Sequence, residues 1–108
     1  MERAVLVYTT WPSLVEAEKA GRALVEKRLA ACVNILPGMI SHYWWKGALE
    51  RAEETVAIFK TRDSLTEPLR QALRSVHPYE TPCFVTVPAE TVDPDYRRWI
   101  IEETEAGR

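Results

Sequence analysis

Short runs of apolar residues alternate along the chain with segments of helical period. Residues 3–9 carry apolar or aromatic side chains at both even and odd positions, which predicts a central strand with packing groups on both faces. Residues 13–16 read Ser-Leu-Val-Glu, the form of a capping box, so a helix is expected to begin there. Its small and apolar positions share one face, and the helical pattern continues to about Ala30.

The middle of the chain has the pattern of a long, bent β-hairpin. Residues 31–36 predict a strand, which Pro37-Gly38 interrupts with a bend or bulge. An extended pattern resumes over residues 39–46, and Gly47 makes the turn. Residues 53–61 then return as a strand antiparallel to the preceding one.

The last third of the chain predicts a helix, a strand and another helix. Residues 66–76 carry an apolar stripe at helical spacing and end before His77-Pro78, because a residue that precedes proline is pushed out of the α region. Residues 82–88 predict a short strand bounded by prolines. The sequence Asp-Pro-Asp at 93–95 predicts the start of a last helix, and residues 104–108 are expected to fray.

This order of elements predicts an α+β fold in one domain spanning residues 1–108. The order is β-α-β-β-α-β with an extra C-terminal helix, which corresponds to a ferredoxin-like sandwich with a long bent hairpin. In that arrangement helices cover one face of the sheet and leave the other to water, so each strand should alternate apolar and polar residues.

The strands do not show this alternation. Residues 39–45 place Met39, Tyr43 and Trp45 on one face, yet Ile40 and Trp44 lie on the other. An exposed apolar patch of this size predicts association. Cyclic pairing with neighbouring chains would also remove the unpaired edges of the hairpin. We therefore expect a homo-oligomer with three-fold closure.

Charge and composition argue against several classes of partner. The 108 residues include 14 Lys and Arg against 16 Asp and Glu, and this net charge of −2 argues against a domain held to nucleic acid through its phosphates. No segment approaches the ~20 apolar residues of a membrane-spanning helix. The first residues lack the apolar core of a signal peptide, so a cytoplasmic location is expected.

The cysteines and the amide content add two expectations. Cys32 and Cys83 lie far apart and belong to no C-x-x-C pair, which fits reduced thiols in a cytosolic protein. Asn34 and Gln71 are the only side-chain amides, whereas Arg and Glu are abundant. Thermophile proteins share this bias, so we expect high thermal stability. A Tm within the mesophile range of about 45–65 °C would contradict it.

The densest group of functional side chains follows the second predicted helix. His77, Tyr79 and Glu80 lie in a loop stiffened by prolines. An imidazole and a carboxylate together suit divalent transition metals, although a histidine at this position can also meet the last carbonyls of the helix. Lys60 ends an apolar run, and its ammonium either enters a pocket with Tyr79 and Glu80 or is solvated.

The remaining aromatic and imidazole side chains fit structural positions. His42 lies within a predicted strand and is interpreted as an interface or surface residue. Trp44, Trp45 and Trp99 are interpreted as packing anchors, because the basic surroundings of a base-stacking platform are missing. The chain has no G-x-S-x-G, P-loop, G-x-G-x-x-G or H-E-x-x-H motif. We therefore expect no enzymatic activity.

Five segments together resemble one known family. Their sequences are LAACVNILPG at 29–38, SHYWWKG at 41–47, KT at 60–61, HPYETP at 77–82 and YRRWI at 96–100. In order and spacing they resemble the CutA family of divalent-cation tolerance proteins over nearly the whole chain. The resemblance implies a ferredoxin-like fold, a homotrimer built by pairing of the long hairpin strands, a cytoplasmic location in bacteria, and tolerance to copper and other divalent metal ions.

The resemblance also implies candidate metal ligands. Family members reported to bind copper resemble this chain at His77, but they can also carry a cysteine at the position of Tyr8 and a second histidine at the position of Val76. Both of those ligands are absent here. Cys32 is the remaining soft donor that fits the family, and Glu80 is a further candidate. The first hypothesis is therefore a non-enzymatic homotrimer that binds copper or another divalent metal ion through His77, Cys32 and Glu80.

A second hypothesis assigns a different ligand class to the same fold. The protein is then a trimeric sensor, similar in architecture to the PII signalling proteins. In this hypothesis an organic anion binds in an inter-subunit pocket lined by Lys60, Tyr79, Glu80 and Trp45.

Overall fold

A four-stranded antiparallel sheet and three α-helices make up the subunit in the computed structural model, which describes residues 2–106. The strands are β1 (Ala4–Trp11), β2 (Cys32–Trp45), β3 (Ala48–Arg62) and β4 (Phe84–Pro88), and the helices are α1 (Leu14–Glu26), α2 (Thr66–Val76) and α3 (Pro94–Glu103). A 3-10 turn, Asp63–Leu65, precedes α2. The α+β class and the predicted order of elements are confirmed.

The sheet has the order β2-β3-β1-β4, and every neighbouring pair is antiparallel. β1 therefore lies inside the sheet, as its two-sided apolar pattern predicts. The short strand β4 and the long strand β2 form the two edges. Directly opposed residues of an antiparallel pair point to the same face, so the register Val87↔Leu6↔Lys60↔Cys32 marks one row across the whole sheet.

Helix α1 begins where the capping box predicts and ends earlier than its apolar pattern predicts. The Ser13 hydroxyl accepts a hydrogen bond from the backbone N–H of Glu16. The prediction of a helix to about Ala30 is wrong, since α1 ends at Glu26 and Arg28 has a left-handed φ of 64°. The Arg28 guanidinium is held by Glu103 at 2.8 Å. The apolar pattern persists beyond the helix because Leu29 and Ala30 still pack into the core.

The hairpin is longer and more continuous than the pattern predicts. β2 runs without a break from Cys32 to Trp45, and the predicted bulge appears as a register shift between Leu36 and Met39. β3 begins at Ala48, immediately after the turn, and not at residue 53. Residues 48–53 read Ala-Leu-Glu-Arg-Ala-Glu, are mostly exposed and lack strict alternation, so the side-chain pattern does not show that their backbone pairs with β2.

The C-terminal segment is anchored where fraying was predicted. Thr104 is buried, and its hydroxyl accepts a hydrogen bond from Arg62 Nε at 2.9 Å. The Arg62 guanidinium also donates to the Thr104 carbonyl. Fraying from residue 104 is therefore wrong, and residues 107 and 108 lie outside the described residues.

The core lies between one face of the sheet and helices α1 and α2. It consists of fully buried side chains from the two central strands and both helices, namely Val5, Val7, Trp11, Ala57, Phe59, Ala17, Leu24, Leu69 and Leu73. Gly21 allows α1 to approach β2 closely, because a Cβ at this position would lie 3.2 Å from Val33 Cγ1. These helices cover this side of the sheet up to the bulge, and the distal hairpin beyond it stays exposed, with Trp44 at 74%.

The opposite side of the sheet, here called the open face, keeps apolar side chains in contact with water. Leu6, Leu36, Val85 and Val87 are exposed there. Helix α3 packs near one end of this face, where its Tyr96 hydroxyl meets Lys60. The strands therefore carry apolar side chains on the open face as well as on the face that the helices bury.

Within residues 2–106, no helix has the length and apolarity needed to span a membrane.

Candidate functional site

A cavity of about 780 Å³ opens between the hairpin and the loop that follows α2. β1 contributes Tyr8 and Thr10 to its lining, and β3 contributes Glu54. The distal part of β2 contributes residues 39–43 and Trp45. The loop contributes residues 78–81 and Cys83. The predicted candidates Tyr79, Glu80 and Trp45 thus meet at one place.

The β-bulge selects which hairpin side chains line this cavity. Leu36 pairs with Val56, whereas Met39 pairs with Glu54, so β2 has one residue more than β3 between these pairs. Gly38 accommodates the extra residue with a φ of 82°. Because the side-chain period of a strand is two, the extra residue moves the odd-numbered side chains of β2 to the open face. Without the extra residue, the side chains of His42 and Trp44 would lie on the open face instead.

His77 fixes the start of the loop against β1. Its Nδ1 accepts a hydrogen bond of 3.1 Å from the backbone N–H of Tyr79. Nδ1 is therefore unprotonated, and the proton on Nε2 donates to the Thr10 carbonyl at 2.7 Å. The ring also stacks on Trp11, with centroids 4.1 Å apart. Both ring nitrogens are engaged, so His77 has to release the Thr10 carbonyl or the Tyr79 amide before it can bind a metal.

The surroundings of His77 keep it neutral. The residue is 9% exposed. Burial lowers the pKa of His77 below its ordinary value of 6.5, and the Thr10 carbonyl and the carboxylates of Glu16 and Glu54 offset only part of this effect. The histidine that the sequence offers as a metal ligand therefore acts in this structure as a neutral, hydrogen-bonded core residue.

Tyr79 and Glu54 form the polar centre of the cavity. The Tyr79 hydroxyl donates to Glu54 Oε2 at 2.8 Å, and Glu54 is only 9% exposed. Burial raises the pKa of Tyr79 well above its usual value, and the hydrogen bond to Glu54 raises it further. The phenol therefore remains a donor to the carboxylate. Sequence reasoning missed Glu54; its signal is an acidic residue on the same face of β3 as Val56 and Ile58.

Glu80 and Lys46 connect the loop to the hairpin turn. Glu80 Oε2 lies 3.8 Å from Lys46 Nζ, and both side chains are largely exposed. The Lys46 ammonium also lies 5.6 Å from the centroid of the Trp45 ring. An exposed pair at this distance adds little stability, so Glu80 can exchange its partner.

Cys32 and Lys60 lie elsewhere on the sheet. Lys60 donates to the Tyr96 hydroxyl at 3.1 Å, and the Cys32 thiol lies 3.9 Å from the same oxygen. This hydrogen bond is the main reason why the pKa of Lys60 is raised. Their row crosses β1 at Leu6, four residues from Thr10, which is roughly 13 Å along the strand. The structure therefore does not bring Cys32 or Lys60 to His77.

The described part of the chain contains no ready-made metal site. Among residues 2–106, no group of three or more His, Cys, Asp or Glu side chains could hold a metal ion. A closed metal site usually needs ~3–4 protein ligands. A tightly bound ion would therefore need ligands from a second chain or a rearranged loop.

The lowered pKa of the buried His77 predicts that the free energy of unfolding depends on pH. Because the folded pKa lies below 6.5, the unfolded chain binds the proton first as the pH falls. The free energy of unfolding is therefore expected to be insensitive to this group above pH 6.5. Below that value it should fall by at most about 1.4 kcal/mol per pH unit until the folded pKa is passed.

Chemical denaturation of the wild type and of His77→Gln between pH 4.5 and 8 measures this effect. The variant is expected to lose the pH dependence that belongs to His77. His42→Gln, which changes the other, exposed histidine, is the matched control and should retain it. Identical pH profiles for wild type and His77→Gln would contradict the neutral, buried state of the ring.

Comparison with known proteins places the chain among proteins named for metal tolerance. The family model described as CutA1 divalent ion tolerance protein matches residues 5–103. The chain is 40% identical to the divalent-cation tolerance protein CutA of Pyrococcus horikoshii, over 93% of this chain and 97% of that protein. It is 44% identical to the protein of the same name from Thermotoga maritima, over 91% and 96%. Mouse protein CutA is 42% identical over 92% of this chain, which spans only 56% of that longer protein.

Solved structures give the same result. The crystal structure of CutA from Xylella fastidiosa superimposes with a TM-score of 0.93 at 36% identity, over 95% of this chain and 99% of that one. The CutA structure from Archaeoglobus fulgidus, described as a periplasmic divalent cation tolerance protein, gives a TM-score of 0.91 at 41% identity, over 94% and 99%. Fold, sequence and motif spacing agree, and the chain belongs to the CutA family of divalent-cation tolerance proteins.

Proposed function

We propose that this protein is a non-enzymatic homotrimer that confers tolerance to copper and other divalent metal ions by binding them at sites completed between subunits. The subunit is one domain of ferredoxin-like type, a class supported by the element order and by the strand order β2-β3-β1-β4. The observation that carries the proposal is the match to the divalent ion tolerance family over residues 5–103.

The surface of the subunit supports an oligomer. The open face exposes a row of aliphatic side chains that includes Leu6 and Val87, which would be buried against neighbouring sheets. The hairpin projects as the longest part of a molecule of 45 × 27 × 22 Å. Near its tip Trp44, 74% exposed, pairs with exposed Leu49. The edge strands β2 and β4 leave backbone groups available for pairing with another chain.

The distribution of donors supports metal binding between chains. His77, Cys32 and Glu80 offer a nitrogen, a sulfur and an oxygen donor, which together suit a borderline or soft cation such as copper or zinc. They do not converge within residues 2–106 of one chain. The proposal therefore places donors from more than one subunit around each ion. His77 joins the set only after the Tyr79 amide releases its Nδ1 or its Nε2 leaves the Thr10 carbonyl.

Two further features bear on the setting of the proposed function. Cys32 and Cys83 are both free thiols, which supports the proposed cytoplasmic location. The alternative function, a sensor for an organic anion, is not favoured by the cavity. Glu54 and Glu80 line it, whereas Lys60 bonds to Tyr96 instead.

The oligomeric state is directly measurable. Sedimentation equilibrium is expected to give about 37 kDa, three times the chain mass of 12.4 kDa. Val85→Asp, which places a charge on the open face, should shift the population toward monomer. Val76→Asp is the matched control, since both valines are 52% exposed and Val76 lies on α2 away from that face. A monomeric wild type, or equal masses for all three proteins, would exclude the proposed interface.

Metal binding is tested with the assembled protein. Zn²⁺ titrations, with Cu²⁺ as a second divalent ion, are expected to show binding that Cys32→Ser and Glu80→Gln each weaken by at least about tenfold, as expected for loss of a ligand. Cys83→Ser and Glu53→Gln should bind as the wild type does. Metal addition should also shift the NMR signal of the Tyr79 amide, because that amide donates to His77 Nδ1 and is perturbed whichever ring nitrogen binds the ion. Unchanged affinity in both ligand variants would refute the ligand set.

A further inference from the structure

The charged lining of the cavity has a single sign. Glu54 and Glu80 contribute carboxylates, and no lysine or arginine is among the lining residues that the structure describes. Glu54 has no Lys, Arg or His within ion-pair distance among residues 2–106. A carboxylate this buried and without a counter-ion is unfavourable unless a cation or strong hydrogen bonds compensate it. The Tyr79 hydroxyl provides one such bond and leaves room for a cation.

Aromatic side chains form much of the wall of this cavity. Tyr8, Tyr43, Trp45 and Tyr79 all line the cavity, and Met39 adds a polarizable thioether. The negative face of an aromatic ring attracts ammonium groups, and this attraction strengthens when the site is shielded from water. Ligand cavities of about 300–1,000 Å³ enclose most of a small organic molecule. The cavity therefore has both the electrostatics and the size for an organic cation.

The chain itself shows the relevant contact at the rim of the cavity. The Lys46 ammonium lies 5.6 Å from the Trp45 ring and 3.8 Å from the Glu80 carboxylate. An aromatic ring and a carboxylate thus already share one ammonium group. Glu54 and Tyr79 repeat this pair of groups deeper in the cavity, without an ammonium from residues 2–106.

We propose that the cavity binds a small organic ammonium ion with an apolar body. The Glu54 carboxylate is its counter-ion beside the Tyr79 ring, and Tyr43 and Trp45, farther along β2, line the part of the cavity that holds the apolar body. A divalent metal ion is a poorer occupant, since no three ligating side chains converge there among the described residues. Ammonium binding does not depend on the proposed metal function, because its counter-ion Glu54 is outside the metal ligand set, and Glu80, which belongs to that set, is paired with Lys46 at the rim of the cavity.

The test compares three probes that share a benzyl group and differ in charge. Benzyltrimethylammonium is the cation, benzyl alcohol the neutral probe and phenylacetate the anion. Isothermal titration and the NMR shift of the Trp45 indole N–H, measured on the assembled protein, are expected to show millimolar or tighter binding of the cation. The other two probes should bind at least about tenfold more weakly, because benzyl alcohol offers no charge to Glu54 and the carboxylate of phenylacetate is repelled by it.

Two variants locate the site. Glu54→Gln keeps an oxygen that can accept from the Tyr79 hydroxyl, and it should weaken binding of the cation at least about tenfold. Glu53→Gln removes the same charge from the neighbouring residue, which is exposed and opposes Ile40, and it should leave the affinity unchanged. Trp45→Leu should weaken binding severalfold through the loss of an aromatic contact with the apolar body of the ligand.

The outcomes separate this inference from the metal proposal. Equal affinity of wild type and Glu54→Gln for the cation, or equal affinity of the three probes for the wild type, would overturn it. The Zn²⁺ titration of Glu54→Gln is expected to match the wild type, so loss of ammonium binding with intact metal binding shows that Glu54 serves the ammonium ion and not the metal. Loss of both ammonium binding and metal binding in Glu54→Gln would show that the two ligands share this carboxylate, which contradicts the proposal.

Discussion

Two helices can cover only one face of a four-stranded sheet, and most properties of this protein follow from that constraint. α1 and α2 bury the face that carries Val7 and Phe59. The other face receives only α3 near one end, where Ile100 is buried and Tyr96 reaches Lys60. The aliphatic side chains of the open face, among them Leu6 and Val85, are left exposed to water. The surface proposed for assembly and the cavity therefore both lie on the side that the subunit cannot bury alone.

The cavity exists because polar groups of the loop are satisfied inside the protein. His77 uses both ring nitrogens to hold the loop, one on the Thr10 carbonyl and one on the Tyr79 amide. This arrangement turns Tyr79 toward Glu54, so that the loop and β3 meet through one hydrogen bond. A buried imidazole whose two nitrogens are both hydrogen-bonded holds the loop in place. In the sequence alone, the same histidine suggests a metal ligand.

Local signals in the sequence were sufficient for the element order. The capping box at Ser13, the interruption at Pro37-Gly38 and the His77-Pro78 boundary each correspond to an observed start, bulge or end. Local patterns were misleading where contacts between distant segments of the chain determine where an element ends. α1 stops at Glu26 because Arg28 adopts a left-handed conformation and binds Glu103, which is distant in sequence.

The site could be predicted only in part. Tyr79 and Glu80 were recognised from the density of functional groups and Trp45 through the sensor hypothesis, and all three line the cavity. Glu54 was missed, because its importance depends on register with the bulged strand and on the phenol of Tyr79. The separation of Cys32 from His77 could not be predicted either, since it depends on where each residue falls along β1. Residue type is a local property, whereas convergence depends on strand register.

The single extra residue in β2 also limits how the length of this hairpin can vary. Side chains at Met39, Tyr43 and Trp45 face the cavity because one residue is inserted between Leu36 and Met39. A further insertion or deletion of one residue between the bulge and this segment would exchange the row that faces the cavity with the row that faces away. A change of two residues would keep the row. Length variation tolerated in this hairpin should therefore come in pairs of residues.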